Sequence, residues 1–348
     1  MKFSKVIKAI VFVLIFLVGF SAVQTIFEVG DERSSQRIKG FFEERENSLD
    51  AVFLGSSASY AFWSAPIAFA EHGITVYPLA TSSQPTFAAK YLIEDARKTQ
   101  PDAVYIINIS NIQEKDDKHL QKLLVDYPLT FNKLLMTDYL CDFFELGFSE
   151  RMEFYLPIIR FHGRWTELKE SDFYLEKDEY KCGNFYDTFL NLSGDIMDFE
   201  YDFETENGLA QKVIDGLNDL MDYCEKENVK VLFFVSPQAI TEKRMGRQNV
   251  MIEMLEERGF DVLDLRKCVN EIGLDFETDY YNNNHTNIHG SIKTTDYISR
   301  YLIEKYGLED KRGLQEYSDW AEASTKYYEA VSEYLWPGDY EYLNSLKQ

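Results

Sequence analysis

Positive charge is in deficit in this 348-residue chain, and histidine, cysteine and proline are scarce. The 36 lysines and arginines are outnumbered by 59 aspartates and glutamates, which gives a formal net charge of -23. This balance argues against a nucleic-acid partner, because phosphate binding needs clustered cations. It also makes a strongly anionic polymer an unfavourable substrate unless a local basic patch exists, so a neutral substrate is easier to accommodate.

The chain has few residues that would hold a metal or a nucleotide. Its four cysteines, Cys141, Cys182, Cys224 and Cys268, are widely spaced and form no metal-binding motif. Outside a reducing compartment they could pair as two disulfides in any of three ways, but we expect most to be buried thiols. Neither G-x-G-x-x-G nor G-x-x-x-x-G-K-[ST] occurs, which disfavours nucleotide binding. We expect neither a metal nor a cofactor.

The first 28 residues predict a membrane anchor. Residues 9–27 carry no charge and are about long enough to cross a bilayer as a helix. Lysines precede this stretch and acidic residues follow it, so we expect the N-terminus in the cytoplasm and the rest of the chain outside. No clean A-x-A cleavage site follows, which favours a retained anchor, although cleavage after Ser21 or Ala22 is an alternative.

After the anchor, residues 29–47 are polar and predict a short stalk or a juxtamembrane helix. Residues 48–348 then alternate between apolar runs and helical patterns. The runs that predict strands are 51–54, 74–79, 103–109, 229–235 and 260–265. The patterns that predict helices are 65–72, 85–99, 208–226, 250–258, 291–306 and 318–334. This alternation predicts a doubly wound α/β domain with a mainly parallel five-stranded sheet and its site at the strand C-termini.

The alternation stops between about residues 111 and 206. This segment is too long for a connection inside a compact domain, so we interpret it as an insertion that covers the crevice. It contains His162, Arg164 and Trp165, which could bind a carboxylate, a phosphate or a sugar. The same residues could equally lie at a domain seam without any ligand.

The turn after the first predicted strand holds a candidate nucleophile. Residues 50–60 read DAVFLGSSASY, a buried strand followed by a glycine turn into a helix. Ser57 would have its hydroxyl in the crevice, with backbone N–H groups beside it. The alternative is a glycine-serine N-cap that merely begins a helix.

Residues 279–290, DYYNNNHTNIHG, hold the candidate base His285. A serine hydroxyl needs a base, and histidine is the side chain whose neutral form is abundant near neutral pH. Asp279 could bend back to the His285 Nδ1, or Asn282 could accept a hydrogen bond from it, or serine and histidine could act as a dyad. His289 offers a metal pair as a further alternative, but it lacks a cluster of Glu or Cys.

The two segments together resemble the SGNH/GDSL hydrolase superfamily, in particular its membrane-anchored acyltransferase-like branch. That branch includes the D-alanine-transfer protein of teichoic acid synthesis and the alginate acetyltransferases. Its G-[DS]-S motif matches at Ser57 and its late H-x-N-x-x-G matches from His285 to Gly290, whereas Asn282 stands where the family usually has Asp. The resemblance implies a flavodoxin-like, three-layer α/β/α fold and acyl-transfer or ester chemistry. It also implies an acyl donor, a glycan or other hydroxyl acceptor, and a membrane-bound acyltransferase as a partner.

A developing oxyanion in such a site needs hydrogen-bond donors. The Ser57 N–H is one candidate, the turn after the second strand offers Ser83 and Gln84, and the end of the third strand offers Asn108 or Asn111. We therefore expect an anchored, extracytoplasmic esterase or acyltransferase. The alternative, suggested by Asn282, is a protein of the same fold that binds glycan or assists an acylation complex without turnover.

Overall fold

The computed structural model describes residues 2–27, 32–112, 120–124, 127–173, 178–182 and 200–346. The strands are β1 (Ala51–Gly55), β2 (Val76–Ala80), β3 (Val104–Asn108), β4 (Val231–Val235), β5 (Val262–Asp264), β6 (Tyr280–Asn282) and β7 (His285–Thr286). The α-helices are α1 (Lys2–Phe27), α2 (Glu32–Glu43), α3 (Ala58–Ala61), α4 (Ala65–His72), α5 (Ala89–Ala96), α6 (Leu120–Leu124), α7 (Phe131–Phe143), α8 (Phe148–Tyr155), α9 (Ile158–Phe161), α10 (Gln211–Lys226), α11 (Glu242–Glu257), α12 (Val269–Ile272), α13 (Ile288–Tyr306), α14 (Ser318–Val331) and α15 (Pro337–Ser345).

Five strands form one sheet in the order β2-β1-β3-β4-β5, and every neighbouring pair is parallel. The predicted α/β class and its five strands are confirmed, and the sheet is wholly parallel. From β1 the chain moves outward to β2 and then returns to the other side of β1 to form β3. Such a reversal of strand order opens a crevice at the C-terminal ends of the two strands that flank it, here β1 and β3.

The strands form continuous apolar runs because both faces of the sheet are buried. All five residues of β1 are buried, and their side chains alternate between two core clusters. Val52 and Leu54 belong to one cluster, whereas Ala51 and Phe53 belong to the other. Phe53 also packs edge-on against Phe234 of β4, with ring centroids 5.0 Å apart. Burial of each such large side chain contributes about 1.5–3 kcal/mol to folding.

The segment predicted as a stalk or juxtamembrane helix is a helix that belongs to the folded domain. In α2 the side chains of Ile38 and Phe41 are fully buried in the same core cluster as β2. The Tyr77 hydroxyl of β2 donates a hydrogen bond to the Arg37 carbonyl at 3.1 Å. The described part of residues 29–47 therefore contains a helix, one of the two expectations for this segment, and its apolar side chains help to fill the core.

Helix α1 is long and apolar enough to span a membrane. Its stretch Lys5–Phe27 comprises 23 residues with a mean hydropathy of 2.7, and none of this stretch is buried in the rest of the protein. At about 1.5 Å per residue such a helix exceeds the roughly 30 Å of bilayer hydrocarbon. Arg164 touches its C-terminal end, where its Nη1 donates to the Phe27 carbonyl at 2.7 Å and its Nη2 contacts the Asp172 carboxylate at 2.7 Å.

Within the insertion, residues 127–132 bond to α5. The buried Asp95 carboxylate of α5 accepts hydrogen bonds from Tyr127 at 3.0 Å, Thr130 at 2.9 Å and Asn132 at 3.0 Å. These contacts hold the beginning of α7 on the sheet domain. None of the four cysteines, all of which are described, forms a disulfide; three are buried, as expected, and Cys268 is half-buried.

Candidate active site

The turn between β1 and α3 presents the Ser57 hydroxyl to a histidine 228 positions later in the chain. Ser57 Oγ lies 2.7 Å from Nε2 of His285. Ser57 stands at the N-cap position of α3 with helical angles, and its side chain makes no capping hydrogen bond. The N-cap interpretation therefore does not describe what this hydroxyl does. Its partner is an imidazole at the C-terminal edge of the sheet.

Glycine is required at position 55 for two separate reasons. Its φ of +140° is a conformation that residues with a side chain rarely adopt, and the space for a side chain is already filled. A Cβ at this position would lie 2.5 Å from Ser59 Oγ and 2.7 Å from Asn108 Cβ. β1 and β3 therefore lie in close contact just before the Ser57 turn.

We expect Gly55→Ala to lower the free energy of unfolding by about 2–4 kcal/mol, as the sum of backbone strain and overpacking. Chemical denaturation measures this loss. The matched control is Gly259→Ala, where φ is +78° but no atom lies within 4 Å of the new Cβ. That variant carries strain alone, so it should lose about 1 kcal/mol. Equal losses in the two variants would contradict the packing argument.

The antiparallel pair β6 and β7 positions His285 and determines its tautomer. The Asn282 Oδ1 lies 2.9 Å from His285 Nδ1 and also accepts the Asn284 backbone N–H at 2.9 Å. A backbone N–H can only donate, so the atom it meets must be the amide oxygen. The same oxygen therefore accepts from a protonated Nδ1. Nε2 is then left with its lone pair toward Ser57, which is the tautomer that a general base needs.

Asp279 does not orient His285, contrary to one of the three sequence alternatives. Its buried carboxylate pairs with Lys293 at 2.7 Å and accepts the Asp275 backbone N–H at 2.8 Å. The Asp279 carboxylate thus contacts α13 and the turn that precedes β6, and not His285. Asn282 takes the third position of the Ser57–His285–Asn282 chain, and it brings no negative charge.

The remaining residues of the H-x-N-x-x-G motif have structural roles. The Asn287 side chain caps α13 by accepting the backbone N–H groups of His289 and Gly290 at 3.0 and 3.2 Å. A Cβ at Gly290 would collide with the Asp279 backbone. His289 is buried, bonds to Asp339 at 2.6 Å and stacks on Trp336, so its contacts are those of a core residue.

Burial lowers the pKa of His285 from 6.5 to about 4. Since Asn282 is neutral, this partner does not counter the cost of burying an imidazolium. His285 is therefore unprotonated near neutral pH and ready to accept a proton. It is also a weaker base than a histidine paired with a carboxylate, because each lost pKa unit corresponds to about 1.36 kcal/mol.

The predicted oxyanion residues differ in position and in exposure. Ser83 borders the same cavity as Ser57 and has an unusual φ of 56°. Gln84 and Asn108 are almost fully buried. The Asn108 Oδ1 accepts the Ser110 N–H at 2.8 Å, which leaves its Nδ2 group without a partner among the described residues. Asn111, the alternative to Asn108, has its oxygen bonded to Arg244.

Ser57 and His285 open onto a cavity of about 490 Å³. The described residues that line it are Ser56, Ser57, Ser83, Ser110, Asn111, Ile112, Leu209, Val213, Arg244, Arg247, Gln248, Met251, Asn284 and His285. The insertion thus contributes Asn111 and Ile112, whereas its described helices do not cover the crevice. His162, Arg164 and Trp165 are also absent from the lining, so the structure does not bring these predicted substrate residues to the serine.

The sequence interpretation missed the contribution of α11 to this cavity. The helix was predicted to begin at residue 250, but it begins at Glu242, and its first two turns carry Arg244 and Arg247. Thr241 followed by an acidic residue is a helix-start signal that would have shown this, and its hydroxyl does accept the Arg244 N–H. Gly246 in the helix interior obscures the pattern. It is there because residues 206 and 207 pass too close for a Cβ.

Comparison with known proteins gives no direct assignment. No protein-family model matches the chain, and no curated protein matches it either. The function must therefore be argued from the site itself.

Proposed function

We propose that this protein is a serine esterase or O-acyltransferase of the SGNH hydrolase type, anchored to a membrane by α1. The observation that carries the proposal is the Ser57 Oγ to His285 Nε2 distance of 2.7 Å at the edge of a parallel sheet where strand order reverses. A nucleophile within hydrogen-bond reach of a base that a third residue orients is the signature of nucleophilic catalysis. As part of this proposal, the domain has the three-layer α/β/α arrangement of SGNH hydrolases.

In the proposed reaction Ser57 Oγ attacks the carbonyl carbon of an ester, and its proton passes to His285 Nε2. The tetrahedral intermediate collapses when the leaving alkoxide takes that proton, which leaves an acyl group on Ser57. His285 then removes a proton from an acceptor hydroxyl or from water, whose oxygen attacks the acyl carbon. Ser57 recovers its proton as the new ester or free acid leaves.

Donors near the turn support stabilisation of the intermediate's oxyanion. The first N–H groups of a helix have no acceptor within the helix, and Ser57 stands where α3 begins. The Asn108 Nδ2 group is a buried donor without a described partner, beside Gly55. A buried unsatisfied donor costs about 1–3 kcal/mol, so a ligand oxygen that approached it would gain that amount.

The proposed setting is a cell envelope. Lysines in the first turns of α1 and acidic residues after the helix favour a cytoplasmic N-terminus and an extracytoplasmic domain. A cell-envelope glycan hydroxyl is the proposed acceptor, with a membrane-bound acyltransferase as the source of acyl groups. The absence of disulfides among the four cysteines is compatible with this setting because three of them are buried.

A second candidate function is a binding or assembly protein of the same fold with little or no turnover. The observation that favours it is Asn282, a neutral residue at the His285 Nδ1. Such a protein would bind its glycan equally well with or without the Ser57 hydroxyl. It would also show no ester hydrolysis.

A fluorophosphonate probe tests the proposal, because it phosphonylates serines that a neighbouring base activates. We expect one labelled site, located at Ser57 by mass spectrometry, and no labelling in Ser57→Ala. The matched control is Ser56→Ala, which removes the adjacent hydroxyl and should still be labelled. Labelling that persists in Ser57→Ala would refute the assignment of the nucleophile.

A further inference from the structure

The cavity beside Ser57 has an electrostatic character opposite to that of the whole chain. The protein carries a formal net charge of -23, yet the described residues that line the cavity include two arginines and no Asp or Glu. Both arginines come from consecutive turns of α11. The local basic patch that an anionic substrate would need in so acidic a protein is therefore present, and it lies at the candidate nucleophile.

Arg244 is held in place by amide oxygens from three separate loops. Its Nη1 donates to Asn284 Oδ1 at 3.2 Å, and its Nη2 donates to Gln238 Oε1 at 3.1 Å and to Asn111 Oδ1. The Gln238 amide is itself oriented, because its Nε2 donates to the Asn284 carbonyl at 2.8 Å. These contacts fix the position of the guanidinium without supplying a negative charge.

The positive charge of Arg244 has no counter-ion in the described part of the chain. Among the residues that the structure describes, only amide oxygens accept its hydrogen bonds and no carboxylate shifts its pKa. Burial accordingly lowers the pKa of the guanidinium. A partly desolvated charge without a partner is costly, and it is usually retained where a ligand completes the pair. Of the five guanidinium N–H groups three are used, so about two remain for that ligand.

We propose that Arg244 binds an anionic group, a carboxylate or a phosphate, on the substrate whose ester Ser57 attacks. The identification of the ligand as an ester substrate rests on the proposed function. The anion-binding site itself does not, because the arginine and its three amide partners form it without the serine. Arg247 lines the same cavity and adds positive charge. The substrate class changes accordingly, from a neutral glycan to an ester in which either the acyl group or the alcohol carries a negative charge.

Matched esters separate the two positions of the charge. Mono-4-nitrophenyl succinate and 4-nitrophenyl butyrate differ in charge on the acyl side, whereas 3-acetoxybenzoate and 3-acetoxybenzamide differ in charge on the alcohol side. A hydrogen bond to a charged group contributes about 1.5–3 kcal/mol, so the anionic ester of one pair should have a kcat/KM at least about tenfold higher. The pair that shows the preference identifies which part of the substrate carries the anion.

The preference should depend on Arg244 and not on charge in general. We expect Arg244→Gln to remove the tenfold preference and Arg244→Lys to keep part of it, while Lys243→Gln keeps it in full. Lys243 is the matched control because it is exposed and adjacent on the same helix. Should Arg244→Gln fail to fold, Asn284→Asp supplies an internal carboxylate to the intact arginine and is likewise expected to abolish the preference.

A binding measurement separates this proposal from the proposed function. Calorimetric titration with 3-hydroxybenzoate should show binding to the parent protein that 3-hydroxybenzamide lacks and that Arg244→Gln loses, whether or not esters are hydrolysed. Binding without hydrolysis would reject the enzyme and retain the anion site. Hydrolysis with equal rates for both members of each pair, and no difference between the two titrants, would overturn the anion site.

Discussion

Alanine at Ser57, at His285 or at both positions is expected to leave the same residual esterase activity. Each single variant should lower kcat/KM for 4-nitrophenyl acetate by about 10³-fold, the middle of the range for general acid–base catalysis. The double variant should fall no further, because a nucleophile and its base act as one unit and their losses do not add. The 2.7 Å contact between Ser57 Oγ and His285 Nε2 is the physical reason.

Steady-state kinetics on the three variants measures this, with melting temperatures to show that each is folded. His162→Ala is the matched control for loss of an imidazole, since His162 is exposed and lies away from the cavity. It should keep its rate within about twofold, as expected for an exposed side chain remote from the chemistry. If the losses multiplied in the double variant, Ser57 and His285 would act independently. The hypothesis that a proton passes between them would then be rejected.

The fold and the central pair were predictable because they depend on short-range pattern and on one topological rule. Apolar runs of four to seven residues between helical patterns predict buried parallel strands. Parallel strands end at the same edge, so a serine after β1 and a histidine after β5 are expected to approach there. The β2-β1-β3-β4-β5 order then locates the crevice between β1 and β3.

The partner of His285 was not predictable from spacing, because it depends on a competitor elsewhere in the chain. Asp279 and Asn282 both precede His285 on the same short segment. Lys293, one turn into α13, pairs with the Asp279 carboxylate and so removes the charged alternative. A pairing of this kind is visible only when the helix that supplies the lysine has been placed against the strand.

The role of Arg244 and the packing of α2 against the core could not be predicted from the sequence, for a related reason. Arg244 owes its place to amides at the ends of β3 and β4 and on the β6–β7 turn, three points that no sequence window contains. In α2 the polar residues dominate the composition, yet the two apolar side chains Ile38 and Phe41 decide where the helix lies. Amino-acid composition averages over all faces of a helix, whereas the folded helix separates its buried face from its exposed face.

Asn282→Asp is expected to raise kcat/KM near neutral pH by about 10²-fold. The substitution would supply the carboxylate that a serine triad places beside its histidine and that this site lacks. An opposite charge in contact raises a histidine pKa by about 1–3 units, and each unit is worth about 1.36 kcal/mol of imidazolium stabilisation. The full cost of an Asp to Asn change in a serine triad is about 10⁴, but that figure includes a wrong tautomer. Here the Asn284 N–H already fixes the correct tautomer, so only the missing charge remains to be restored.

The geometry for this substitution is already present. Asn282 Oδ1 accepts both the His285 Nδ1–H and the Asn284 N–H at 2.9 Å, and a carboxylate oxygen can accept both in the same position. The matched control is Asn283→Asp, which adds the same charge to the neighbouring exposed residue. Solvent screens a charge there, so we expect a change of no more than about twofold.

The pH dependence gives the sign of the effect and distinguishes it from a general improvement in folding. His285 has its pKa lowered to about 4, so the parent protein should keep the neutral imidazole that the proposed reaction needs down to about pH 4. In Asn282→Asp the raised pKa means that activity is lost at a higher pH, by about 1–3 units, as protonation removes the base. The ratio of variant to parent rate should therefore fall steadily as the pH is lowered from neutral. A rate ratio that is independent of pH would show that the carboxylate does not act on His285. The hypothesis that Asn282 limits the basicity of His285 would then be rejected.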